Sequence, residues 1–381
     1  MSLDAYAILD AFSDTKGRTD EFIVTNNLDT YSAEFLPRSE EIAIAIFCNA
    51  LEELGCSIRS ATPGSKLGRV QPAVAEHRKL VDHIYRILEV RAGLIAEDDG
   101  GNVVTRTSQP CPDRDIDSQI EGLLRDRPAQ YAEIKLMRAV GNRYGDCLAG
   151  KVDAVQLLFQ SAESRSLLDK LYATSDATSS LLQPLKVFLE EVTSSWSASG
   201  EPLRVLEVGA GTGGTTSVLL PALARLGVPT VYTMTDISPS LVTQASFIFK
   251  QYPFVEYKVV DIEREPALEL QCSQHIVLGS NVVHATTDGR SSLKNIHKML
   301  RPDGFLIFHE LTKQMPWADV VFGLFEGWWH FNDGRQHALQ SPQAWANVLK
   351  SAGYGHVDWT DGSRQEAKLQ SLILGMATEV E

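Results

Sequence analysis

Cysteine is scarce and unpatterned. The 381 residues hold five, Cys48, Cys56, Cys111, Cys147 and Cys272, with no CxxC pair and no Cys/His cluster at zinc-finger spacing. An odd count without pattern excludes a disulfide-stapled scaffold and a zinc module, and fits reduced thiols in a cytosolic compartment. Long apolar runs are missing as well. The longest, Ile42 to Cys48, is far short of the ~20 residues that span a bilayer. The N-terminal Met-Ser-Leu-Asp-Ala-Tyr offers neither a basic region nor an apolar one, so no cleaved secretory signal is expected and the cytoplasm is the expected location. Positive charge is in deficit: 35 Lys and Arg face 49 Asp and Glu, a net charge of −14. That balance argues against a nucleic-acid partner. Repeats and low-complexity tracts are absent. What remains is an ordinary globular composition, 44% hydrophobic and 22% charged, at a length that allows two or three domains.

The two halves of the chain differ in pattern. Up to about Trp196 the periodicity predicts helices. One runs from Ser39, read as its N-cap, to Leu54. A second runs from Val74 to Leu94, with Leu80, Ile84, Ile87 and Val90 on one side. A hairpin signal follows, Leu94-Ile-Ala, then Glu-Asp-Asp-Gly-Gly, then Asn102-Val-Val-Thr-Arg. Helix, helix and hairpin make a small winged-helix-like unit. His77, Arg78, Lys79 and Arg86 on its second helix invite a DNA-binding reading, but the aliphatic stripe and the acidic balance favour packing. Thr107 to Asp113 reads as a linker. Further helices are expected over Asp115–Arg125, Tyr131–Gly141, Lys151–Phe159, Ser164–Ala173 and Ser179–Trp196.

After Pro202 strands alternate with helices. Strands are expected over Leu203–Val208, Thr230–Thr235, Val255–Val260, His275–Gly279, Gly304–His309, Gly355–Trp359 and Leu369–Gly375. Alternation of this kind predicts an α/β fold, a mostly parallel sheet with helices on both faces, and a ligand beyond the carboxyl ends of its strands. The expected division is an N-terminal helical subdomain over 1–130, a helical lid and connector over 131–200, and a Rossmann-like catalytic domain over 201–381.

Between the first strand and its helix lies Glu207-Val-Gly209-Ala-Gly211-Thr-Gly213-Gly214. Alone, such a loop says only that a backbone must approach a ligand closely at a helix N-terminus. Its company is more specific. Asp236 ends the second strand, where a carboxylate can take both ribose hydroxyls of an adenosine. Asp261-Ile262 ends the third, suiting an adenine edge and face. Glu207 would repel a pyrophosphate but suits a cationic sulfonium cofactor with an α-amino group.

Val-Leu-Glu-Val-Gly-Ala-Gly-Thr-Gly-Gly-Thr-Thr resembles motif I of class I S-adenosylmethionine-dependent methyltransferases, and Leu300-Arg-Pro-Asp-Gly304 resembles their later Leu-Arg-Pro-Gly-Gly motif. Gly279-Ser-Asn-Val-Val-His-Ala-Thr286 is similar to the segment after strand four in polyketide synthase C-methyltransferase domains. Gly150-Lys-Val-Asp-Ala-Val-Gln-Leu-Leu-Phe159 resembles their Arg-Gly-Glu-x-Asp-Pro-Leu-x-Leu-Leu-Phe helix, with Ala149-Gly-Lys for Arg-Gly-Glu and Ala154 for Pro. The match is to the C-methylation domains of fungal non-reducing polyketide synthases, enzymes of secondary metabolism. It implies a seven-stranded sheet ordered 3-2-1-4-5-7-6 and S-adenosylmethionine as cofactor, with S-adenosylhomocysteine as product. It also implies a poly-β-keto thioester substrate on an acyl carrier protein, and the other domains of a parent synthase as partners. No metal is expected, because nothing in the chain resembles a ligand set. A carrier domain is not evident either: Asp117-Ser118 lacks the flanking pattern of a phosphopantetheine site.

Methylating carbon requires a carbanion, and the α-carbon of a β-keto thioester is acidic enough for a side-chain base. His284 lies just past strand four and Glu310 directly after strand five. Adjacent strands place the two within reach, Glu310 orienting the ring and raising its basicity. The resemblance implies such a dyad at these positions, followed by in-line methyl transfer. It also implies a functional tyrosine at Tyr172, under a lid; packing is the alternative reading. Asn281 is read as lining the methionine end of the cofactor or, alternatively, as capping its loop. His309 should face the opposite side of its strand and be structural. The aromatic run Met315–Phe331 is read as one helix, either core or the wall of a substrate tunnel. Rival functions are a phenol O-methyltransferase, an idle methyltransferase fold kept as a spacer, and, more distantly, a dehydrogenase.

Overall fold

The computed structural model describes residues 3–97, 102–194, 196 and 200–380. The chain forms two compact units by contact, one of residues 30–171 and 314–329, the other of residues 1–29, 172–313 and 330–381. This division follows packing rather than sequence order and differs from the three segments drawn from the sequence.

The first unit holds the winged-helix-like part. Its helix Leu36–Glu53 starts earlier than expected. Ser39 lies inside the first turn and donates to the Leu36 carbonyl, so it is not the N-cap. The wide turn Tyr31–Phe35 runs directly into the helix and removes the need for one. The expected second helix is broken into a 3-10 turn at Ala75–His77, an α-helix at Arg78–Arg86 and a π-turn at Ile87–Arg91. Leu80, Ile84 and Ile87 are buried, but Val90 is 73% exposed. The π-turn winds one residue wider and rotates Val90 off the stripe. Strands β1 (Lys66–Gly68), β2 (Ile95–Glu97) and β3 (Val103–Arg106) make an antiparallel sheet in the order β1-β3-β2.

Part of the basic face of this unit is committed to its own backbone. His77 bonds the Leu324 carbonyl, and Lys79 donates to the Trp329 carbonyl. The aromatic run is not one helix: it is helical over Pro316–Phe322, turns at Gly323, and re-forms as a 3-10 turn at Glu326–Trp329. Within it Trp317, Phe322, Trp328 and Trp329 are buried. Trp328 donates to Asp319, whose carboxylate also meets His83 at 3.1 Å. These four aromatics are core. The segment 151–159, expected as a helix, keeps a π-turn at Gln156–Gln160.

The second unit is built on a seven-stranded sheet: β4 (Leu203–Val208), β5 (Thr230–Asp236), β6 (Val255–Val259), β7 (Gln274–Ser280), β8 (Leu300–Leu311), β9 (Val357–Trp359) and β10 (Gln370–Met376). The order is β6-β5-β4-β7-β8-β10-β9, with β10 antiparallel to both its neighbours. That is the expected 3-2-1-4-5-7-6 arrangement. Along β4 the period-two alternation sends Leu203 and Val205 into one core and Leu206 and Val208 into the other. The first core is closed by helices Ala5–Gly17, Asp176–Ser194 and Gly214–Leu226, the second by Gly289–Met299 and Pro342–Ala352. The chain leaves β4 toward β5 and β6 on one side and toward β7 and β8 on the other, so a crevice opens beyond the ends of β4 and β7. Among the described residues, no helix is long and apolar enough to cross a membrane.

Candidate active site

The glycine loop is shaped by backbone that other residues resist. Gly209 and Gly213 have φ of 58° and 85°. A Cβ on Gly209 would lie 2.4 Å from a Val282 methyl, and one on Gly213 2.6 Å from the Phe249 ring. The loop is tied to the end of β5: Ala210 N–H donates to the Thr235 carbonyl, and Gly211 N–H to Asp236 Oδ2 at 2.9 Å. The other oxygen, Asp236 Oδ1, accepts from Ser238 N–H at 2.8 Å. Each carboxylate oxygen has a second lone pair, so Asp236 retains acceptor capacity for a diol.

Glu207 is 1% exposed. Its Oε2 accepts from the hydroxyls of Thr216 at 2.5 Å and Tyr232 at 2.7 Å. Burial pushes the carboxyl up to about 7 against these hydrogen bonds. A carboxyl raised in the folded state favours folding fully below its ordinary value of 4.5, and that contribution is lost as pH rises through about 7. Glu207→Gln keeps an acceptor oxygen for the two hydroxyls without a charge. Urea unfolding from pH 5 to 8 should show the wild type losing stability, on the order of 3 kcal/mol from this group, and the variant losing correspondingly less. Identical pH dependence in both proteins would show that Glu207 does not titrate in this window.

Asp261 accepts from Glu263 N–H at 3.0 Å and pairs with Arg264 at 3.1 Å. Ile262 is buried, and its carbonyl accepts from Asn295. Asn281 has a φ of 53°, rare outside glycine. Its N–H donates to the His309 carbonyl and its Oδ1 accepts from Leu311 N–H, joining the end of β7 to that of β8. Tyr172 is 40% exposed, and its carbonyl lies against Gly214, 2.9 Å from where a Cβ there would sit.

The structure brings His284 and Glu310 together. His284 sits in the one-turn 3-10 segment Val283–Ala285 just beyond β7, and Glu310 lies near the end of β8. Glu310 Oε2 is 2.6 Å from His284 Nδ1. Its Oε1 faces the N–H groups of Val282, Val283 and His284 at 3.2, 2.9 and 3.3 Å. A carboxylate that is fully buried therefore meets one ring nitrogen and three amides, the compensation that a buried charge demands. Accepting from Nδ1–H selects the tautomer in which Nε2 is the basic nitrogen. His309 is buried on the opposite side of β8, bonds Gln370 at 3.1 Å, and is held neutral at neutral pH because burial lowers it to about 4.

Sequence reasoning did not find Arg335 and Asp333. The Arg335 guanidinium donates to the carbonyls of His284 and Thr286, pairs with Asp333 at 3.1 Å and lies over the Phe331 ring. No periodicity or motif marks this stretch; an arginine in an Asn-Asp-Gly turn reads as solvated surface.

The chain is similar to known proteins. The model of a methyltransferase helix-turn-helix domain matches residues 13–102, and that of a methyltransferase domain matches residues 206–306. A non-reducing polyketide synthase of Didymella fabae is 59% identical over 377 residues, covering 99% of this chain and 14% of the synthase. The chain thus spans about one seventh of the length of that curated relative. The solved CMeT domain of the citrinin polyketide synthase is 48% identical, covers 99% of both chains and superposes with a TM-score of 0.94. The trans-methyltransferase CalH, solved with SAH, is 25% identical, with 90% of this chain and 92% of that one covered and a TM-score of 0.64.

Proposed function

Because the chain belongs to the C-methyltransferase domains of polyketide synthases, which are S-adenosylmethionine-dependent enzymes, we propose that it methylates the α-carbon of a poly-β-keto thioester held on an acyl carrier protein of its parent synthase. The observation that carries this reading is the 2.6 Å contact between His284 and Glu310 at the carboxyl ends of the neighbouring strands β7 and β8.

The residues present fit the cofactor. Gly209, Gly211 and Gly213 bare the loop backbone, Asp236 retains lone pairs for ribose hydroxyls, and Asp261 with Ile262 lies just past the end of the third parallel strand, where adenine is expected. Glu207 lies behind the loop, where its ionised form adds negative potential, with its Oε2 accepting from Thr216 and Tyr232. Asn281 sits between the two halves of the site, and Tyr172 beside the glycine loop. When bound, S-adenosylmethionine supplies an electrophilic methyl group on a sulfonium. The protein's own part is proton removal. His284 Nε2 takes the α-proton, and the imidazolium that forms is stabilised by the Glu310 carboxylate. The three backbone amides keep Glu310 anchored whichever charge the ring carries. The proton then returns to solvent from His284, which resets the base.

A β-keto thioester on a carrier protein, incubated with the protein and methyl-labelled cofactor, should gain one labelled methyl on carbon by mass spectrometry and NMR. Label on oxygen, or none, would overturn the reading. The ribose assignment has its own check. Asp236→Ala removes charge-assisted hydrogen bonds worth roughly 1.5–3 kcal/mol each. Calorimetry should show S-adenosylmethionine affinity falling at least ~10-fold, with the sheet intact by circular dichroism. Unchanged affinity would remove Asp236 from the cofactor site.

A further inference from the structure

The turn that carries His284 is gripped from two directions. Its amide N–H groups point to Glu310, as described. Two carbonyls in and just after the turn go to a single side chain: Arg335 donates to the His284 carbonyl at 3.1 Å and to the Thr286 carbonyl. The side chain of Arg335 is 4% exposed. Asp333 holds it by an ion pair, and the Phe331 ring lies 4.9 Å below the guanidinium. Asp333 also accepts from Gly289 N–H, and Asn332 N–H donates to the Thr287 carbonyl. Residues 331–335 are therefore laced along 284–289 by side chain and backbone alike.

Few arrangements explain a buried guanidinium spent on these carbonyls. Burying it is costly, and one carboxylate plus two carbonyls compensate. Their placement matters more than their number. The His284 carbonyl is on the same residue as the imidazole, so the angle at which the ring meets Glu310 depends on how this peptide is held. Arg335 can hold it because its planar fork reaches two carbonyls at once. A lysine offers a point charge without that fork.

We propose that Arg335 is a positioning residue for C-methylation: it fixes the backbone of the Val283–Ala285 turn so that the His284 ring keeps its Nδ1–H on Glu310 and its Nε2 toward the substrate. The proposal rests on the reading of His284 as the base. It assigns Arg335 no contact with substrate or cofactor.

The test compares Arg335→Ala, Arg335→Lys and His284→Ala in the intact domain, with a carrier-bound β-keto thioester. Arg335→Ala should lower kcat by about 10²-fold, the scale of a misplacement near 1 Å. KM for the thioester and the Kd of S-adenosylmethionine should stay within about twofold, because no uniform binding is lost. Arg335→Lys should fall between, roughly 10-fold down. Nitrogen-15 NMR should show the His284 ring as the Nδ1–H tautomer in the wild type and as a mixture in Arg335→Ala. A merely structural arginine would lower cofactor affinity and kcat together and leave the tautomer alone; that result overturns the proposal, as does wild-type kcat in the folded Ala variant. Should Arg335→Ala fail to fold, the Lys variant decides by the same readouts, and a wild-type kcat there overturns it. Turnover retained by His284→Ala would instead refute the base assignment itself, an outcome distinct from failure of Arg335 alone.

Discussion

His284→Ala is expected to abolish C-methylation of a β-keto thioester while leaving S-adenosylmethionine affinity nearly unchanged. The two halves of the expectation come from different strands. His284, the proposed base, lies beyond β7 and meets Glu310 on β8, whereas the glycine loop and Asp236 lie at the ends of β4 and β5. Removing a positioned base costs typically 10²- to 10⁴-fold, and an α-carbon, unlike a phenol oxygen, gives no nucleophile until its proton has gone. The variant should also fold. Glu310 would lose the imidazole but keep three amide donors on Oε1, so its buried charge is not stranded. Single-turnover assays with labelled cofactor, beside calorimetry on the same protein, check both halves. Near-normal turnover would move the base elsewhere, with Tyr172 the next side chain to examine. Loss of cofactor affinity to match the loss of rate would mean that the substitution had collapsed the crevice.

Much of the catalytic unit was readable because its signals are local. β4, with Leu203–Val208 as expected to the residue, is a β-rich run closed by glycines, and the loop that follows admits no Cβ at Gly209 or Gly213. The pairing of His284 with Glu310 was readable once neighbouring strands were placed side by side. What escaped depended on partners distant in sequence or on helix phase. Ser39 looks like an N-cap only if the helix begins after it, and the Tyr31–Phe35 turn starts the helix sooner. Val90 fits the stripe of an ideal helix and leaves it through a π-turn that no residue type announces. The first helix belongs with the sheet because Phe12 packs edge-on against Phe188, 5.5 Å away in space and on a helix much later in the chain. Arg335 is the instructive miss. Its role rests on carbonyls, which carry no side-chain signature, so the sequence around it shows only a turn.

Glu310→Gln is expected to be nearly as damaging as removing the base, and the reason is the fixed polarity around the side chain. Oε1 of Glu310 faces three N–H groups and must remain an oxygen. The amide of the glutamine is thereby turned so that its NH₂ occupies the place of Oε2, 2.6 Å from His284 Nδ1 in the wild type. Two donors cannot share that contact. The imidazole must give up its Nδ1 hydrogen and carry it on Nε2, where a proton acceptor is needed. The substitution removes the charge that stabilises the imidazolium and also selects the wrong tautomer. A loss of ~10²-fold or more in kcat follows, within the range for acid–base groups. Cofactor affinity should hold, because the glycine loop and Asp236 are untouched. The double variant His284→Ala/Glu310→Gln should be no slower than His284→Ala alone, since residues that act as a unit fail together. Rates for the four proteins, measured on one carrier-bound substrate, close the cycle. Were the double variant slowed by the product of the two single defects, Glu310 would be acting independently of His284 and the paired role would be wrong.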